Sequence, residues 1–115
     1  MDLTGRWSFS EDFGYGINEG EMNLKQENNS LSGEMTFTET IEGEDPFTIH
    51  CLVQGSTTDT EVTLETLQHT IIAGDKTTEY LSETIQGIIN SQGQIVGTCC
   101  DQDDVEGVFL FQRID

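Results

Sequence analysis

The sequence alternates between apolar and polar residues at every second position, in eight segments that run from one end of the chain to the other. This period of two is that of a β-strand with one buried and one exposed face. Fifteen threonines and a single alanine, Ala73, favour pleated strands over helices. The eight predicted strands are Leu3 to Ser10, Glu19 to Glu27, Leu31 to Ile41, Phe47 to Gly55, Glu61 to Ile71, Thr77 to Ile89, Gln94 to Cys100 and Val105 to Ile114.

Short clusters of turn-forming residues, such as Asn90-Ser91-Gln92-Gly93, separate most of these strands. Connections of this length join antiparallel neighbours and are too short for a parallel crossover. An open sheet of eight strands would expose two edges and a half-apolar face, and closing the sheet removes both problems. We therefore predict an all-β fold, a closed eight-stranded antiparallel up-and-down (meander) barrel, formed by residues 1–115 as a single domain.

One predicted connection is longer than the others. It runs from Glu11 to Asn18 and carries two aromatic residues, Phe13 and Tyr15, beside two glycines. Because glycine lets the backbone hinge, this segment is predicted to be a lid over one end of the barrel.

The same alternation assigns one face of each strand to the barrel interior. The predicted inward residues are Gly5, Trp7, Phe9, Met22, Leu24, Leu31, Gly33, Met35, Phe37, Phe47, Ile49, Cys51, Val53, Gly55, Val62, Leu64, Ile85, Gly87, Ile95, Gly97, Cys99, Gly107, Phe109, Phe111 and Arg113. Several of these glycines lie near one barrel end, where missing side chains let strands coil sharply and leave room for the ring of Trp7.

Two terminal motifs, Leu3-Thr4-Gly5-Arg6-Trp7 and Gly107-Val108-Phe109-Leu110-Phe111-Gln112-Arg113, resemble those of the lipocalin-like (calycin) barrels. That group includes lipocalins, avidins and fatty-acid-binding proteins. The resemblance implies that Trp7 packs at the closed base, that Arg113 lies across it and that Gly5 allows the close approach. The chain has no helical pair after the first strand, no C-terminal helix and only one tryptophan, so the resemblance leaves the ligand unassigned.

Acidic residues concentrate in the connections predicted to share one barrel end. Connections after strands one, three, five and seven carry nine acids, Glu11, Asp12, Glu42, Glu44, Asp45, Asp75, Asp101, Asp103 and Asp104, whereas the other end carries only Glu27 and Asp59. Low-dielectric walls focus such a field and favour a cationic ligand over a fatty acid.

This asymmetry predicts a non-enzymatic binding protein that holds a small hydrophobic or amphipathic ligand, with a cationic group favoured, at an acidic open end. The predicted ligand-binding residues are Phe13, Tyr15, Met22, Met35, Phe37, Ile49 and Phe111. The competing interpretation is a barrel filled by its own side chains, with acids that are merely solvated.

The charge balance excludes other classes of partner. Only Arg6, Lys25, Lys76 and Arg113 are basic, against 22 acids and a net charge of −18, so neither nucleic acid nor an anionic membrane is an expected partner. No apolar run is long enough to span a bilayer, and the start Met1-Asp2-Leu3 lacks the features of a signal peptide. We expect a cytoplasmic protein unless a leader has been trimmed from it.

No catalytic or metal-binding constellation is evident, and no cofactor is expected. His50 and Cys51 alternate to opposite faces, so they do not form a nucleophilic pair. Inward pairs of acids suited to proton transfer are not apparent, and the acidic loop at Asp101 lacks the pattern of an EF-hand. The cysteines are interpreted as small buried residues, with a bond between Cys51 and Cys99 as an alternative.

Two alternatives involve protein partners. One is an interaction module, such as a protease inhibitor, that binds a basic or other protein through its loops at Phe13 and Tyr15. The other is a homo-oligomer formed through outward apolar residues, namely Leu52, Leu67, Leu81, Val108 and Leu110.

Overall fold

A computed structural model describes residues 2–75 and 80–114, and these residues form eight β-strands and no helix. The strands are β1 (Gly5–Asp12), β2 (Gly16–Glu27), β3 (Ser30–Ile41), β4 (Phe47–Thr57), β5 (Glu61–Ala73), β6 (Glu83–Ile89), β7 (Ile95–Asp101) and β8 (Glu106–Arg113). No helix that could cross a membrane occurs in this part of the chain.

Each strand pairs antiparallel with the next one in the chain, and β1 also pairs with β8. The closing register places Trp7 opposite Arg113 and Phe9 opposite Phe111. The sheet is therefore closed, which confirms the predicted all-β antiparallel meander barrel.

Aromatic rings fill the middle of the barrel. The ring of Phe9 lies 5.4 Å, centre to centre, from the rings of both Phe37 and Phe111, and Phe109 lies 4.6 Å from Phe111. Tilted and edge-on contacts at these distances are the favoured packing of aromatic side chains. Methionine, leucine, isoleucine and valine side chains from all the remaining strands complete this core.

The N-terminal segment closes one end of the barrel. The buried indole of Trp7 donates its Nε1 hydrogen to the carbonyl of Leu3 at 3.0 Å, and the guanidinium carbon of Arg113 lies 4.5 Å from the centre of the indole ring. The same guanidinium donates to the carbonyls of Thr4 and Asp2, at 2.9 and 2.7 Å. Gly5 has a φ of 145°, which a residue with a side chain seldom adopts, and the chain turns there into β1. The side chain of Arg113 is exposed to solvent on its outer side, although the alternation assigned it to the interior.

The connection between β1 and β2 is much shorter than the sequence suggested. β1 continues to Asp12 and β2 begins at Gly16, so the predicted lid from Glu11 to Asn18 is a hairpin turn of residues 13–15. The backbone N–H of Phe13 donates to the carbonyl of Gly16 at 2.9 Å. The prediction of a lid was wrong because Glu11 and Asn18, polar residues on the inward faces of β1 and β2, were interpreted as loop residues.

The sixth strand is shorter than predicted. β6 begins at Glu83, and residues 80–82, predicted to be strand, are not paired; Thr77 to Glu79 lie outside the described residues. Only Glu61 to Glu65 of β5 pair with β6, although β5 is 13 residues long. The two strands therefore separate toward the end opposite Trp7, and Tyr80 lies buried there before β6 begins.

A bulge interrupts β5. The β4–β5 register shifts between Thr48 and Ile49 and again between His50 and Leu52, and Gln68 of β5 has a φ of 41°. Thr66 and Ile71 are both buried although they are five positions apart, which a regular strand would not allow. This irregularity explains why the alternation in β5 was hard to assign from sequence.

Candidate functional site

A cavity of about 150 Å³ lies at the open end of the barrel, opposite Trp7. Apolar cavities of this size admit a benzene ring in other proteins. Its walls combine three aromatic rings with three carboxyl groups. The lining residues are Phe13, Tyr15, Gly16, Glu39, Ile41, Tyr80, Leu81, Glu83 and Asp101.

Two wider grooves, of about 370 and 380 Å³, lie on the outer wall. Most of the side chains that line them project outward from the barrel into solvent, such as Gln54 in one and Val108 in the other. The first groove has no aromatic ring, and the second has one ring, Phe109, and one buried acid, Glu11. The open-end cavity joins three aromatic rings to three carboxyl groups, so it is the better candidate site.

The β1–β2 turn supplies one aromatic wall. The rings of Phe13 and Tyr15 lie 6.3 Å apart, with Phe13 half-buried and Tyr15 57% exposed. The side chain of Asp12 accepts a hydrogen bond from the backbone N–H of Gly14 at 2.8 Å, and Gly14 has a φ of 91°. Glycine at this position therefore allows the tight turn that brings the two rings together.

Tyr80 supplies the opposite wall and fills the space where β5 and β6 separate. Its ring packs on Phe37 at 5.8 Å and on His69 at 5.3 Å. Its hydroxyl donates to the hydroxyl of Thr66 at 3.4 Å, and the backbone N–H of Glu83 donates to the same hydroxyl at 2.9 Å. Thr66 thus ties the segment before β6 to the unpaired part of β5.

Buried polar side chains lie beneath the aromatic walls. Glu11 is 1% exposed, Asn18 is fully buried and Glu83 is 4% exposed. The side-chain amide of Asn18 donates to Oε1 of Glu11 at 2.9 Å. Glu11 was predicted to lie on the rim, but it continues the inward face of β1 beyond Trp7 and Phe9, so that assignment was wrong.

The surroundings of Glu83 favour its protonated form. Burial raises the pKa of Glu83 well above its usual range, and the charge and contact of Glu11, followed by the charges of Glu39 and Asp101, raise it further. Burial likewise raises the pKa of Glu39, while its hydrogen bond with Asn18 opposes that change. The carboxyl group of Glu83 consequently stays protonated at a pH where exposed carboxyl groups are ionised.

All three cysteines are free thiols, so the alternative of a Cys51–Cys99 bond is wrong. Burial raises the pKa of Cys51 to about 12 and that of Cys99 further still, with nearby carboxylates adding to both effects. Neither thiol is therefore activated as a nucleophile. Cys99 nevertheless joins Glu11 and Glu83 in a cluster whose possible ligand atoms lie within 4.8 Å of one another.

The predicted ligand-binding residues fall into two groups. Phe13 and Tyr15 line the cavity. The other five are packed in the buried core below it and do not line it: Met22, Met35, Phe37, Ile49 and Phe111. The side chains of the barrel therefore fill most of its interior, and the space for a ligand is confined to the open end.

Several site residues were missed by the sequence analysis, although a signal for most of them was present. Glu11, Asn18, Glu39 and Glu83 each continue the inward alternation of their strand toward the open end. Glu11 and Asn18 were assigned to a connection, whereas Glu39 and Glu83 lay inside predicted strands but were not counted among the inward residues. The inward faces were therefore ended too early. Tyr80 has no such signal, because it lies outside any strand.

No protein-family model matches the chain, and no curated protein resembles it significantly. Two solved structures match the barrel. The redesigned β-barrel mFAP1, bound to DFHBI, superposes with a TM-score of 0.66 at 16% identity over 96% of this chain and 94% of that chain. The redesigned β-barrel mFAP0, also bound to DFHBI, has a TM-score of 0.54 at 20% identity over 96% of this chain and 98% of that chain. These similarities show the fold, a closed eight-stranded antiparallel barrel consistent with the lipocalin-like architecture.

Proposed function

We propose that the chain is a non-enzymatic binding protein whose open-end cavity holds a small amphipathic ligand with one aromatic ring and one cationic group. The observation that carries this proposal is that the cavity joins aromatic walls to buried carboxyl groups. Phe13, Tyr15 and Tyr80 provide the walls, while Glu39, Glu83 and Asp101 provide the carboxyl groups.

The size of the cavity limits the ligand. At about 150 Å³ it is smaller than the cavities that hold drug-sized molecules, and it suits a single ring with a short polar arm. A fatty acid chain would need the space that Met22, Met35 and Phe111 occupy. The DFHBI bound in mFAP1 and mFAP0 supports small-molecule binding by barrels of this fold.

The charge of the cavity favours a cation. Burial raises the pKa of Glu39 and that of Glu83, so the ionised form of either group gains from a positive charge nearby, which an ammonium group supplies. Further exposed acids lie in the connections at the same end and repel an anionic ligand. They are Asp12, Glu42, Glu44, Asp45, Asp75, Asp103 and Asp104.

Isothermal titration with three matched compounds tests this proposal. Benzylamine, benzyl alcohol and benzoate share a ring and differ in the charge of the arm. We expect benzylamine to bind best, at least roughly tenfold more tightly than benzyl alcohol, which corresponds to about 1.4 kcal/mol, and benzoate to bind least.

Two substitutions in β3 test whether Glu39 contacts the amine. Glu39→Gln should weaken binding of benzylamine and leave that of benzyl alcohol nearly unchanged, because it removes a cavity carboxyl group. Glu34→Gln is the control, since Glu34 is exposed on the outer face of the same strand and contacts His50 at 3.2 Å. Equal affinities for the three compounds, or equal effects of the two variants, would contradict the proposal.

A further inference from the structure

Three potential metal ligands converge below the cavity from three different strands. Glu11 is supplied by β1, Glu83 by β6 and Cys99 by β7, and their exposed fractions are 1%, 4% and 1%. One ligand atom of each side chain lies within 4.8 Å of the other two. Among the residues that the structure describes, no other group of histidine, cysteine or acidic side chains meets this condition.

The polar atoms around this cluster are incompletely satisfied. Oε2 of Glu11, Oε1 of Glu83 and Oδ1 of Asn18 are buried and have no hydrogen-bond donor among the described residues. The amide of Asn18 donates to the other oxygen of Glu11, which holds that carboxyl group in place. Buried oxygens without donors are costly, and a metal ion bonded to these oxygens would remove that cost.

The donor set indicates which metal ions fit. Carboxylate oxygens accept most divalent cations, whereas a cysteine sulfur selects thiophilic ions such as Zn²⁺ over Mg²⁺ and Ca²⁺. We propose that Glu11, Glu83 and Cys99 form a binding site for a thiophilic divalent cation of the zinc type. This site is separate in its chemistry from the proposed amine site, although Glu83 borders both.

The local geometry can accommodate such an ion after a small adjustment. Zinc bonds of about 2.0 to 2.3 Å place tetrahedral ligand atoms roughly 3.3 to 3.8 Å apart, so the three side chains need to approach by about 1 Å. Gly107 leaves room beside the sulfur, because a Cβ there would lie 3.2 Å from Sγ of Cys99 and 2.9 Å from the ring of Phe13. Glu83 lines the cavity, which gives the ion a route from solvent.

Binding exchanges protons for the metal ion. The thiol proton of Cys99 and the carboxyl proton of Glu83 leave to solvent, and the ion forms one bond with each of the three side chains. Because two protons are released, metal affinity should rise with pH.

Titration of the reduced, metal-free full chain with Co²⁺ tests the site. A thiolate bound to Co²⁺ produces a charge-transfer absorption band in the near ultraviolet, which carboxylates alone do not. We expect one equivalent of Co²⁺ to produce this band and Zn²⁺ to abolish it by displacement. Absence of the band at micromolar to millimolar Co²⁺ would overturn the proposal.

Cysteine variants identify the ligand. Cys99→Ser should abolish the band, whereas Cys100→Ser should retain it, because Cys100 is partly exposed and is not in the cluster. Persistence of the band in Cys99→Ser would overturn the assignment.

A glutamate variant provides a second test that does not depend on whether Cys99→Ser folds. Glu83→Gln removes a buried acid without changing its shape, and it should bind Co²⁺ roughly tenfold or more weakly while the protein remains folded. Unchanged Co²⁺ affinity in this variant would also overturn the assignment. The cobalt titrations are made without benzylamine, and the benzylamine titrations use neither Cys99 variants nor the cobalt band. Failure of the metal site can therefore be distinguished from failure of the amine site.

Discussion

At the scale of single residues, Glu83 is a buried carboxyl group with other acids around it. Its pKa is raised by burial and by the acids around it, so its folded-state pKa exceeds its unfolded one. The folded state then binds the proton more tightly, and the free energy of unfolding falls as the pH rises from the unfolded pKa toward the folded pKa. The acids that raise the pKa of Glu83 in this way are Glu11, Glu39 and Asp101.

We therefore expect Glu83→Gln to become progressively more stable than the parent protein as the pH is raised from 5 to 9 in the presence of a chelator. The difference should grow by up to about 1.4 kcal/mol per pH unit, the value for one proton. Urea unfolding at each pH measures it. Glu61→Gln is the control, because Glu61 is exposed. Parallel stability curves for the parent and Glu83→Gln would contradict the account of this site.

At the scale of elements, the β1–β2 turn shapes the cavity through its backbone. Gly14 and Gly43 have similar φ values, 91° and 85°, and neither has an atom within 4 Å of the place a Cβ would take. Alanine at either position should therefore destabilise the fold by a similar amount, about 1 kcal/mol, through backbone strain alone.

Only Gly14→Ala should alter ligand binding, because Gly14 positions Phe13 and Tyr15 whereas Gly43 lies in the β3–β4 connection. We expect benzylamine affinity to fall several-fold in Gly14→Ala and to stay unchanged in Gly43→Ala, with thermal unfolding reporting equal losses of stability. Equal losses of affinity would show that the turn does not shape the site.

The same elements show what sequence could and could not predict. Alternation predicted all eight strands and the closed meander because side-chain direction and hairpin length follow from local chemistry. The predicted end of β1 and the predicted start of β2 were wrong because Glu11 and Asn18 are polar and yet point inward. Their burial depends on partners from other strands. The bulge near Gln68 and the inward position of Tyr80 depend on where β5 and β6 separate, which no local pattern encodes.

At the scale of the whole molecule, closure of the barrel sets the functional asymmetry. An up-and-down barrel brings alternate connections to the same end, so the aromatic turn, the carboxyl groups and the gap between β5 and β6 meet opposite Trp7. A net charge of −18 adds a long-range attraction for cations. The packed core leaves little space deeper in the barrel, which supports the proposal that a ligand binds at that end.

Amide chemical-shift mapping during titration with benzylamine shows whether a ligand enters the open-end cavity. We expect chemical-shift changes only in residues 13–16, 39–41, 80–83 and 101, and no change in the shift of the indole N–H of Trp7. Changes centred on the outer wall, around Gln54 or Val108, or on the base around Trp7 would contradict the proposal.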